Sequence, residues 1–127
     1  MRLFVVRHAE AAPGEPDELR PLTEAGRAAA RALAEQLAAE QVDAVVSSPL
    51  LRARETADAI ARAAGVEAEP DDRLAPGATV EDLREAVRGR GETVVSVGHQ
   101  PDCGEIVFAL VGELRPFKPG SFAEVTL

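Results

Sequence analysis

Tryptophan and tyrosine are absent from the 127 residues, and phenylalanine occurs only four times. Large aromatic rings are therefore scarce as packing units, and alanine must do much of the filling of any core. Cys103 is the single cysteine. It rules out an intrachain disulfide and fits an intracellular, cytoplasmic location. Its expected part is that of a small, semi-buried helix residue, not a catalytic thiol. Basic side chains are in deficit, 14 Lys and Arg against 22 Asp and Glu, for a formal net charge of -8. A nucleic-acid footprint needs a basic face, and an anionic membrane surface attracts basic segments, so neither partner is expected. No apolar stretch approaches the roughly 20 residues that cross a bilayer, and no basic-then-apolar segment opens the chain. Histidine occurs twice. Without a Cys cluster, and without His-x-x-His or His-Glu-x-x-His spacing, no zinc site is composed, and no metal is expected.

What remains is a chain that is 46% hydrophobic, too apolar for a disordered segment and long enough for one core but not two. One domain over residues 1–127 is expected. Arg2 to Val6 reads as a short buried strand, and Ala11 to Leu22 as a loop rich in Pro, Gly and acid. Thr23 can cap a helix that begins at Glu24, with Ala29, Leu33 and Leu37 on one face. Asp43 to Ser47 is a second strand. Ser48 supplies an N-cap and Pro49 a first helical position for a helix to about Ala64, closed by Gly65. Val66 to Glu69 is weakly extended and Asp71 to Ala78 is loop. Thr79-Val80-Glu81-Asp82 resembles a capping box for a helix ending near Arg88. Glu92 to Val97 is a strand, Pro101 to about Val111 a helix closed by Gly112, and Phe122 to Leu127 a last strand. Strands alternating with helices predict an α/β fold with a mostly parallel central sheet covered on both faces.

Both histidines fall just past strand-like runs: His8 after Leu3-Phe4-Val5-Val6-Arg7, His99 after Thr93-Val94-Val95-Ser96-Val97-Gly98. In an open α/β sheet, ligands bind beyond the carboxyl ends of the strands. Arg7 adjoins the first histidine, and Arg52 follows a third such run, Ala44 to Pro49. A lone histidine after a strand is as a rule a polar loop residue. Two histidines and two arginines at three strand ends instead point to an anion site. Helix N-termini near Arg52 and His99 would add partial positive charge, and Arg52 a bidentate fork for phosphate. In that field a neutral His8 could attack phosphorus and be phosphorylated. Arg7, Arg52 and His99 would then steady the transferring phosphoryl group.

These residues sit in segments that resemble the histidine phosphatase, or phosphoglycerate mutase-like, superfamily, and more closely its SixA-type phosphohistidine phosphatase branch. Arg7-His8-Ala9-Glu10 resembles the family's Arg-His-Gly motif. Arg20-Pro21-Leu22-Thr23-Glu24-Ala25-Gly26 is similar to an Arg-Pro-Leu-Thr-x-x-Gly segment. Ser48-Pro49-Leu50-Leu51-Arg52-Ala53-Arg54-Glu55-Thr56 is similar to Ser-Pro-x-x-Arg-Ala-x-x-Thr, and Gly98-His99-Gln100-Pro101 resembles the second histidine motif. The segments follow the family's order over residues 2–111.

The resemblance implies a three-layer sandwich and a cofactor-independent phosphatase. His8 would be the nucleophile, and Arg7, Arg52 and His99 the phosphate pocket. Gln100 would line the pocket, and Arg20 would stand at its mouth. Arg20 reads equally as a loop arginine paired with Asp17 or Glu18. The expected substrate is a phosphorylated protein bearing phosphohistidine. A small phosphate ester, or a phosphate-binding module without catalysis, is the alternative. Three departures stand out. Ala9 replaces a glycine, which is tolerable only at negative φ. The branch is expected to run on past the strand ending at Leu127. Pro76 stands where many superfamily members carry an acidic proton donor, leaving Glu10, Asp17 and Glu18 as substitutes.

Overall fold

Leu3 to Val6 are all buried, so the first strand is covered on both faces, as its unbroken apolar run requires. A computed structural model describes residues 1–127. Strand β1 (Arg2–Arg7) is followed by a 3-10 turn (Asp17–Leu19), helix α1 (Glu24–Ala38), β2 (Ala44–Ser47), α2 (Leu51–Ala64) and β3 (Ala68–Pro70). A second 3-10 turn (Asp72–Leu74), α3 (Val80–Val87), β4 (Thr93–Gly98), α4 (Asp102–Val111) and β5 (Phe122–Thr126) complete the chain. The sheet order is β3-β2-β4-β1-β5. The first four strands run parallel, and β5 is antiparallel to β1.

Alternation along the strands splits the core in two. Phe4, Val6, Val45, Val95 and Val97 face α1 and α2, meeting Leu33, Leu37, Ala53 and Ile60. Leu3, Val5, Val46 and Val94 face α3 and α4, meeting Leu83, Val87, Ile106 and Val107. The result is the three-layer α/β sandwich. Alanine fills the closest approach, with Ala53 and Ala57 fully buried on α2, and one pair of phenylalanines meets, Phe4 edge-on to Phe122 at 5.7 Å. Cys103 is buried on α4 with its thiol pushed up to about 12, chiefly by burial, as suits a packing residue. No helix is long and apolar enough to cross a membrane.

Several local signals hold. Thr23 caps α1 through the Gly26 N–H, Thr79 and Asp82 form a reciprocal capping box, and Gly65 and Gly112 close α2 and α4. Two expectations are corrected. The buried stripe of α1 is Gly26, Ala30, Leu33, Ala34 and Leu37, and Ala29 is exposed. A strict four-residue spacing drifts about 40° per step against the 3.6-residue helix, so its end residue turns outward. Ser48 is not the N-cap of α2, which begins at Leu51 with Leu50 in that position and no side-chain cap.

Candidate active site

The parallel ladder continues one residue past the strands. His8 donates its N–H to the carbonyl of Gly98 (3.0 Å), and Ser48 donates to that of Val97 (2.9 Å). This places His8, His99 and Ser48 side by side on the carboxyl rim of the central strands β1, β4 and β2. The two imidazoles meet edge to face, with centroids 5.2 Å apart and planes at 61°. His8 lies half-buried, and its Nδ1 is 2.7 Å from the carbonyl oxygen of Ala9. A carbonyl can only accept, so Nδ1 carries the proton and Nε2 keeps its lone pair. His99 is 4% exposed, and its Nε2 sits 2.7 Å from Ser48 Oγ.

Both rings are held below the ordinary histidine pKa. For His8 burial is the main cause, opposed by the hydrogen bond to Ala9 and reinforced by the charges of Arg52, Arg7 and Arg20. His99 is pushed down to about 4, first by burial and then by His8 and Arg52. At neutral pH both are uncharged, surrounded by three arginines.

Each arginine has a fixed anchor. Arg52, in the first turn of α2 and 8% exposed, donates from Nη1 to the Asp17 carbonyl (2.9 Å) and from Nη2 to Asp17 Oδ2 (3.2 Å). Arg20 donates from Nη1 to Asp17 Oδ1 (3.0 Å) and from Nε to the Ala12 carbonyl (2.7 Å). Arg7 donates from Nη1 to the Phe117 carbonyl (2.7 Å), and its buried Nε has no hydrogen-bond partner. Thr56 ties two of the segments together: its hydroxyl accepts the Ala9 N–H (3.1 Å) and donates to the Arg52 carbonyl (2.8 Å).

A family model described as the histidine phosphatase superfamily, branch 1, matches residues 3–78. The chain belongs to this superfamily. A phosphohistidine phosphatase SixA homolog from Haemophilus influenzae is 30% identical, over 98% of this chain and 87% of that protein. The solved structure of the protein histidine phosphatase SixA complexed with tungstate superposes with a TM-score of 0.87 at 30% identity, covering 100% of this chain and 88% of that one. A mycobacterial glucosyl-3-phosphoglycerate phosphatase shares the fold, with a TM-score of 0.79 at 22% identity over 98% of this chain and 89% of that one.

This histidine phosphatase brings Arg7, His8, Arg52 and His99 together from three strand ends. Arg20 joins them, near enough to depress His8, and it pairs with Asp17 as its alternative reading foresaw. Gln100 is the exception. Its Oε1 accepts the Gly104 N–H at 2.8 Å, so that oxygen caps α4. Helix α4 begins at Asp102 without a side-chain cap from Pro101, and its free N–H groups claim the nearest amide oxygen. Ala9 is fully buried, and Gln41 is the only non-glycine residue at positive φ, so the methyl group costs no backbone strain. No three His, Cys, Asp or Glu side chains converge to hold a metal ion.

Three participants escaped the sequence reading. The sequence offers Ser48 as a helix cap, Thr56 as a motif position only, and Asp17 as a partner for Arg20 or a substitute proton donor. The Asp17–Arg20 spacing of three residues was visible. The Asp17–Arg52, Ala9–Thr56 and Ser48–His99 contacts span 35, 47 and 51 residues, and no local pattern encodes them.

Proposed function

We propose that this enzyme hydrolyses a phosphoryl group through phospho-His8, and that its substrate is phosphohistidine borne on a protein. The observation that carries the reading is the state of His8: neutral, with Nδ1–H committed to Ala9 and Nε2 free beside three arginines. In this reading Nε2 attacks phosphorus in line, the P–N bond of the substrate breaks, and the departing imidazole takes a proton from solvent. Water then forms a P–O bond as the P–Nε2 bond breaks, releasing inorganic phosphate and restoring His8. Arg7, Arg52 and His99 hold the equatorial oxygens, and a phosphoryl oxygen would supply the partner that buried Arg7 Nε lacks. The names of the relatives support a phosphohistidine substrate. A cytoplasmic location belongs to the same reading, supported by a single buried, unpaired cysteine.

The carboxylates support it from another side. Glu10 accepts the Thr23 hydroxyl at 2.6 Å, Glu18 is exposed and unpaired, and Pro76 lies in an exposed turn. Asp17 is held below the usual carboxylate range by Arg20 and Arg52, which suits an anion and not a proton donor. A site without a general acid favours a leaving group as undemanding as imidazole.

Rapid quench with labelled phosphohistidine-containing carrier protein should show acid-labile, base-stable label at His8, abolished in His8→Ala. Label persisting in that variant would refute the nucleophile. The carrier should also exceed a panel of small phosphate esters in kcat/KM, and a preferred small ester would refute the protein substrate.

A further inference from the structure

Arg52 is the most deeply buried of the site's cations, and both of its terminal nitrogens are occupied by one residue. Asp17 gives its main-chain carbonyl to Nη1 and Oδ2 to Nη2, and its second carboxylate oxygen goes to Arg20. This is the two-pronged contact by which a guanidinium also holds a phosphoryl group. Asp17 is therefore an intramolecular anion on the arginines assigned to phosphate.

Its mounting differs from that of the other anchors. Asp17 belongs to a three-residue turn with no buried residue, and its side chain is 59% exposed. Short local bonds from Leu19 to Pro16 and from Arg20 to Asp17 close the turn. Apart from these, the arginines hold it. Glu10, Glu15 and Glu18, the other carboxylates on or beside this loop, touch neither arginine.

Building on the phosphatase reading above, we propose that Asp17 is a resident anion that the phosphoryl group displaces from the terminal edge of Arg52. It thereby sets the enzyme's affinity for phosphate. In the resting site it satisfies a nearly buried cation whose charge would otherwise be uncompensated. When substrate arrives, the exposed turn lifts and Arg52 exchanges one anion for another. After hydrolysis the carboxylate returns and competes with inorganic phosphate, so product is not retained. Because its two arginines keep Asp17 ionised, the competition persists throughout the neutral range. A rigid strut that merely aimed Arg52 would have the opposite sign: removing it would weaken phosphate binding.

The test is competitive inhibition by inorganic phosphate of aryl phosphate hydrolysis, in wild type, Asp17→Asn and Asp17→Ala. Thermal unfolding would be followed in parallel. Both variants remove an exposed charge and leave the backbone carbonyl in place. Each should lower the phosphate Ki roughly 3- to 5-fold, the upper part of the range expected for an exposed ion pair, and KM should fall with it. The gain should shrink as salt rises. An unchanged or higher Ki in folded variants would overturn the proposal. Arg52→Ala separates the two readings. If phosphate fails to inhibit wild type, or inhibits Arg52→Ala equally well, the pocket itself is misassigned and the role of Asp17 falls with it.

Discussion

The hydroxyl of Ser48 holds the imidazole of His99, Oγ to Nε2 at 2.7 Å, across 51 residues of sequence and two adjacent strands. The same hydroxyl accepts the Leu50 N–H at 3.2 Å. The turn that leads into α2 and the second histidine are thus fixed by one oxygen. Because His99 meets His8 edge-on, Ser48 sets the orientation of one ring and the surroundings of the other.

Ser48→Ala should therefore affect both folding and catalysis. It leaves a ring nitrogen without a partner at a site where His99 is 4% exposed, costing about 1–3 kcal/mol. Denaturant unfolding should show that loss, and kcat/KM should fall about 10-fold. Wild-type values for both would remove Ser48 from the site.

The two imidazoles should titrate below 6.5 by NMR, with His99 near 4. The fold favours the neutral ring, so the unfolded chain binds more protons between pH 6.5 and 4. The contribution of His99 is complete above pH 6.5 and is lost as pH falls toward 4, on the order of 2 kcal/mol once solvent screening is allowed for. Asp17 and Asp71 have carboxyls held below 3.8, so they act under that window. Unfolding free energies at pH 7, 5.5 and 4.5 should decline, and His99→Asn should flatten the slope. A pH-independent wild type would contradict the depressed value.

Arg52→Lys keeps a positive charge but loses the planar fork. A fall of about 30-fold in kcat/KM is expected, on the order of 2 kcal/mol of transition-state stabilisation. Steady-state kinetics at wild-type level would show that charge alone suffices.

Among aryl phosphates, kcat/KM should drop steeply as the leaving-group pKa rises, and alkyl phosphates should be poor substrates. Pro76 cannot donate a proton, and a positioned acid is typically worth about 10²–10⁴-fold. Comparable rates for phosphohistidine and a simple alkyl phosphate would reveal a working acid among Glu10, Asp17 and Glu18.

Gly26→Ala should destabilise the protein by about 2 kcal/mol or more, because a β-carbon there would lie 2.1 Å from the Glu10 carbonyl oxygen. That carbonyl accepts the Thr23 N–H at 3.0 Å, so the clash falls on the loop that follows His8. Chemical denaturation would measure it. An unchanged midpoint would mean that α1 can shift away.

The sequence by itself determined the elements and the rim. The unbroken apolar runs could only be strands buried on both faces. The Thr79–Asp82 box and the glycines after α2 and α4 set helix ends through bonds a few residues long. His8, His99 and Arg52 were legible as a site because a parallel sheet delivers every strand's carboxyl end to one edge. Partners were not legible. Ser48 and Gln100 each offered a polar atom to two takers, a helix end or the site. The Ser48 hydroxyl meets both His99 and the Leu50 N–H, and the Gln100 Oε1 goes to α4, because polar groups withdrawn from water are satisfied by whatever lies nearest in space. Only the tertiary structure decided that Asp17 lies across Arg52. Contacts of that kind depend on where a loop lands after the sheet has assembled, and the chain carries no periodic signal for a distance of 35 residues.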